Sequence, residues 1–142
     1  MKKLIAAIIC SLFMLSPAMA NDFSYKLLDG VAATGASAKS FTIHDEDIPN
    51  MHTVAVYYTD ANASISALVV TLEGSTDRPD VADGSAHWFT LGTLTFSGAQ
   101  LTAKQGMMHV VNKPVPRVRL NITTLTGEGA GDLIYGLYTY GR

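Results

Sequence analysis

A chain of 142 residues, 48% of them hydrophobic, is long enough for one substantial core and short for two. Ten basic against 12 acidic residues leave a formal charge of −2, which argues against nucleic acid as a partner, because gripping phosphates needs a positive patch. Cysteine occurs once, at Cys10, so no disulfide can form within the chain.

Residues 1–20, MKKLIAAIICSLFMLSPAMA, join two lysines, an apolar run and the small-residue site Ala18-Met19-Ala20, the pattern of a secretory signal peptide. The run Leu4–Leu15 is too short for a membrane-crossing helix, which needs about 20 residues, and no other segment comes closer, so no membrane span is expected. Removal of this leader takes Cys10, Lys2 and Lys3 with it. The expected product is exported to the periplasm or the cell exterior, begins at Asn21, forms one domain over residues 21–142 and is more acidic than the full chain. It holds no thiol for redox, nucleophilic or zinc chemistry.

From there on, helical periodicity is almost absent, and short runs rich in Val, Ile, Thr, Tyr and Phe are punctuated by Gly, Asn, Asp and Pro. About eight strands are predicted, near Phe23–Leu28, Ala38–His44, His52–Thr59, Ile65–Gly74, His87–Phe96, Met107–Val111, Val115–Thr124 and Asp132–Tyr140. The Gly- and Ala-rich piece Gly30–Ser37 reads as a connection. Asp45-Glu46-Asp47 reads as a solvated acidic turn. Ala67–Leu72 is apolar at successive positions, which predicts a central strand covered on both faces.

After Gly74 comes the loop Asp77-Arg78-Pro79-Asp80-Val81-Ala82-Asp83-Gly84. Its carboxylates Asp77, Asp80 and Asp83 are either a solvated turn, for which Asp, Pro and Gly are also the residues required, or a cluster of hard oxygen ligands suited to calcium. The spacing is not that of an EF-hand. Trp88, the only tryptophan, follows at once; it is either a core residue or an exposed ring on which a sugar stacks while Asp77, Asp80 and Asp83 accept its hydroxyl hydrogens. Serine is common, yet no G-x-S-x-G elbow occurs, and the histidines 44, 52, 87 and 109 lack the short spacing of a zinc motif.

In Arg117–Thr123, strict alternation sends Val118, Leu120 and Ile122 to one face and Arg117, Arg119, Asn121 and Thr123 to the other, predicted to be solvated. Pro114 and Pro116 cannot donate to a ladder and belong at the start of this strand or on an edge. The last strand carries Tyr135, Tyr138 and Tyr140. These rings either cover the core or, on a terminal strand at a sheet edge, meet another chain by strand addition.

Strands at this spacing, with no helix between them, predict an all-β antiparallel β-sandwich of jelly-roll type. Three segments in order, Leu27–Ser37, then Val70–Asp77 leading to His87–Leu91, then Pro116–Ile122, resemble the small β-sandwich proteins of tailed bacteriophages, the head-decoration, fibre and tail-associated type. The resemblance implies a structural or surface-binding part with no shared catalytic centre, so it brings no active-site residues. Two features depart from it: the insertion from Arg78 to His87 and the leader. The expectation is therefore an exported, non-enzymatic module that assembles with itself as a homo-oligomer or docks on a larger particle. A carbohydrate-binding module using Trp88 and the acidic loop, with or without calcium, is the alternative.

Overall fold

A computed structural model describes residues 24–36, 40–43, 48–61 and 63–141; the leader and Asp45-Glu46-Asp47 lie outside these. The strands are β1 (Tyr25–Val31), β2 (Gly35–Ala36), β3 (Phe41–Thr42), β4 (Met51–Thr59), β5 (Ala67–Ser75), β6 (Phe89–Phe96), β7 (Gln105–Val111), β8 (Arg117–Thr126) and β9 (Leu133–Gly141). One short helix, α1 (Gly98–Ala103), joins β6 to β7.

The topology follows from folding the chain in half. Doing so pairs β1 with β9, the short β2 and β3 with β8, β4 with β7, and β5 with β6, every pair antiparallel. Rolling that long hairpin up adds the pairs β4 with β9 and β5 with β8. Two sheets result: sheet A, ordered β1-β9-β4-β7, and sheet B, ordered β2-β8-β5-β6 with β3 also on β8. With β2 and β3 counted as one interrupted strand, this is an eight-stranded jelly roll.

Period-two alternation explains why the sheets face one another. In β4, His52, Val54, Val56 and Tyr58 are buried while the residues between them are not; in β8, Val118, Leu120 and Ile122 are buried as the sequence predicts. They meet Leu28, Leu68, Val70, Leu72, Ile134 and Tyr138 in one core. Each such aliphatic side chain contributes about 1.5–3 kcal/mol by leaving water. Gly136 of β9 leaves room for the facing sheet: a Cβ there would lie 2.5 Å from Leu120 Cδ1.

The structure corrects several expectations. β9 is not an edge strand, because rolling the hairpin places it between β1 and β4. β5 is central within sheet B, between β8 and β6, and its outer side is covered in part: Thr71 and Ser75 are buried there, while Ala67 and Val69 stay half-buried. The Gly30–Ser37 connection contains the end of β1 and all of β2, and the strand expected over residues 38–44 reduces, among described residues, to Phe41–Thr42. Helix α1 lies between β6 and β7, where the strand spacing predicts no helix. The prolines before β8 stand as predicted, Pro116 accepting the backbone N–H of Ile43 at 2.7 Å.

Candidate functional site

The turn of the long hairpin is the β5–β6 loop, residues 76–88, and the structure folds it back onto the outer face of sheet B. Arg117 is what holds it. Its side chain, 3% exposed, donates to the carbonyl oxygens of Arg78 at 3.0 Å and Val81 at 2.9 Å and pairs with the Asp83 carboxylate, while its Nε is left without a partner. Ser40 donates to the same Asp83 oxygen at 2.7 Å, and the Trp88 indole N–H donates to the Asp83 carbonyl at 2.9 Å. The indole lies over the guanidinium of Arg119, 4.3 Å from the ring centroid, and less closely that of Arg117, at 5.4 Å. Arg119 in turn bonds Glu73 at 2.6 Å, and Asn121 donates to the second Glu73 oxygen at 2.8 Å. The face of β8 predicted to be solvated is thus roofed by the loop.

Asp77 closes the loop at its base. It accepts the backbone N–H of His87 and lies 3.2 Å from His87 Nδ1, and the backbone bond, chiefly, holds its carboxyl below the usual range. Of the candidate ligand residues, Asp83 and Trp88 are joined by a hydrogen bond and Asp77 is bonded to His87, each as part of the loop's own bonding; Asp80 is exposed. Among the described residues no group of three or more acidic, histidine or cysteine side chains converges as a metal site. The described histidines are dispersed: His52 in the core, His87 in the loop, and His109 on the outer face of sheet A beside Thr53 at 2.9 Å.

The tyrosines of β9 divide by alternation. Tyr138 is fully buried and Tyr140 packs against the core, the pair clustering with Tyr25 and Phe41. Buried His52 donates from Nε2 to the Lys113 carbonyl at 2.8 Å, so its Nδ1 accepts the Tyr138 hydroxyl at 2.8 Å. Burial pushes the His52 pKa below its ordinary value, opposed in part by the Lys113 bond, and raises that of Tyr138. Tyr138 is therefore closed to a partner in this fold, while Tyr140 is half-buried. Tyr135 alone points outward, stacked on Tyr57 with centroids 5.0 Å apart.

That stack belongs to a surface the sequence reading missed. The outward residues of β4, β7 and β9 run in registered rows, Tyr135–Tyr57–Gln105, Leu137–Ala55–Met107, Thr139–Thr53–His109 and Gly141–Met51–Val111. None is acidic, lysine or arginine. The charges on this face are Lys26 and Asp29 of edge strand β1, paired with one another at 3.3 Å. Met107 is 61% exposed, Val111 55%, Met51 41% and Tyr57 39%. The signal was available: neither parity of Met51–Thr59 carries a charge, whereas a solvated sheet face ordinarily alternates apolar with polar residues. At its α1 end the face deepens into a cleft of about 510 Å³ lined by Ala55, Tyr57, Ala99, Ala103, Gln105 and Met107.

No protein-family model matches the chain, and no curated protein matches it either. Among the described residues no helix is long and apolar enough to cross a membrane.

Proposed function

We propose that this protein is an exported, non-enzymatic structural module, of the kind the likeness to phage β-sandwich proteins implies, which works by assembling with itself or docking on a larger particle. The observation that carries this reading is the outer face of sheet A, which has no net charge and exposes Met51, Tyr57, Met107 and Val111. The outer face of sheet B supplies the contrast, bearing Thr71, Thr93, Thr95, Asn121, Glu73 and Arg119. Contiguous exposed apolar surface on a small domain marks a contact region.

The carbohydrate-binding alternative draws on Trp88, Asp77, Asp80 and Asp83. Two of those carboxylates are engaged within the loop, and the indole already carries a guanidinium over its ring. The deciding experiment is light scattering coupled to size exclusion over a concentration series, with negative-stain imaging of any large species and a glycan array alongside. Oligomers without glycan binding support the reading. A monomer that binds a glycan, with binding lost in Trp88→Ala, overturns it.

A further inference from the structure

Resting on that reading, we infer that the occupant of the sheet A face is a second copy of this chain, packed face to face about a twofold axis that crosses the strands. Size is the first argument. Four strands about 4.8 Å apart, two of nine and two of seven residues at about 3.4 Å each, present about 500 Å² per copy, so a pair buries about 1,000 Å², the least a specific interface needs. Charge is the second: a face without net charge repels neither a second neutral face nor itself, and it offers nothing to an acidic or basic partner.

Shape is the third argument, and it fixes the orientation. The face has exposed knobs, Met51 and Val111, at one end, and the cleft beside Tyr57 and Gln105 at the other, six residues or about 20 Å along the same strands. A twofold lying between the sheets and perpendicular to the strands reverses strand direction while keeping β4 over β4 and β7 over β7. Val111 of each copy then meets Gln105 of the other, Met51 meets Tyr57, and each cleft receives the knobs of the opposite subunit. An axis parallel to the strands would stack knob on knob and leave both clefts empty. Such isologous contacts are the commonest route to homodimers.

The test uses protein produced from the full chain and reads mass against concentration by light scattering. Wild type is expected to pass from monomer to dimer in the micromolar range. Val111→Lys and Met51→Lys should weaken association at least tenfold with an unchanged melting temperature at concentrations where wild type is monomeric, since the side chains are 55% and 41% exposed in the subunit, and Thr95→Lys on the outer face of sheet B should leave association unchanged. Mixing Val111→Lys with Gln105→Glu should restore the dimer, because the two new charges face one another only in this arrangement. A dimer that survives Val111→Lys but is lost in Thr95→Lys, or one that the mixture fails to restore, overturns the assignment and leaves self-assembly standing. A wild-type monomer throughout overturns the inference together with self-assembly, and leaves docking on a larger particle.

Discussion

Replacing Arg117 by Met tests whether the 76–88 loop is held by one buried guanidinium. The substitution removes two bonds to carbonyl oxygens and the pair with Asp83. Hydrogen bonds involving a charged group contribute about 1.5–3 kcal/mol each, so a simple sum runs from about 4.5 to 9 kcal/mol. Three features reduce it. The Asp83 side chain is 36% exposed and rehydrates once released, Arg117 Nε already lies buried and unpartnered, and the Met side chain refills the apolar part of the site. A net loss of about 2–4 kcal/mol is expected, which for a domain of this size lowers the melting temperature by about 10 °C. The readout is local as well as global, because Trp88 is the only tryptophan and bonds to the same Asp83. Its emission should shift to the red, and proteolysis within residues 76–88 should accelerate under conditions where the sheets stay folded. A melting temperature within about 1 °C of wild type, with unchanged Trp88 emission, would refute the reasoning.

Four further outcomes follow from the same geometry. His52 is neutral in the fold and its pKa is depressed, so the unfolded chain binds the proton more readily; stability is full above the unfolded value of about 6.5 and falls by up to 1.36 kcal/mol per unit as pH drops below it, until the folded value is reached. His52→Gln should flatten the dependence of the urea midpoint between pH 7 and pH 5, and a wild-type slope no steeper than the variant's would count against it. Tyr138→Phe strips the donor from His52 Nδ1 and should cost about 1–2 kcal/mol in urea unfolding. Gly136→Ala should cost about 1–3 kcal/mol through the clash with Leu120, while Gly84→Ala, with open space at its Cβ, should be close to neutral in the same assay. Millimolar calcium should leave the melting temperature unchanged, since Asp77 and Asp83 already have partners; a clear rise would reinstate the acidic loop as a cation site.

The sequence shows the strands because burial imposes a period of two wherever one face is covered, and that pattern is local. It locates the inward Val118, Leu120 and Ile122 and the prolines before them. What covers the other face of β8 is not local: nothing in Arg117–Thr123 records that residues 76–88 return to roof it, and an arginine on a strand is ordinarily solvated. The position of β9 is likewise set by the roll of the whole hairpin, so three tyrosines on a terminal strand suggest an edge although two of them fill the core. Helix α1 has six residues and no side-chain N-cap bond, too little for a periodic signal. The Tyr57 and Met107 surface was partly legible, as a strand whose two faces both lack charge. Its extent depends on the β9-β4-β7 order, which the sequence does not display.

The two outer faces separate stability from association, and that separation is itself testable. On sheet B the outward polar groups are engaged: Arg119 and Glu73 are mostly buried against one another and beneath Trp88, so Arg119→Ala leaves Glu73 short of a partner and uncovers the indole. Loss of such a partly buried pair lowers stability by about 1–3 kcal/mol and has no route to the mass of the particle. On sheet A, Val111 is 55% and Met51 41% exposed within each subunit, so charging Val111 changes the stability of an isolated subunit by about 0.5 kcal/mol or less and charging Met51 by little more. If sheet A is a contact surface, the two substitution classes give opposite signatures: a melting temperature lowered at every concentration with unchanged mass, against a lower mass with a melting temperature unchanged where wild type is monomeric. If sheet A is merely an apolar solvent face, Val111→Lys changes neither quantity. The paired measurement therefore distinguishes a fold defect from a lost interface within one experiment.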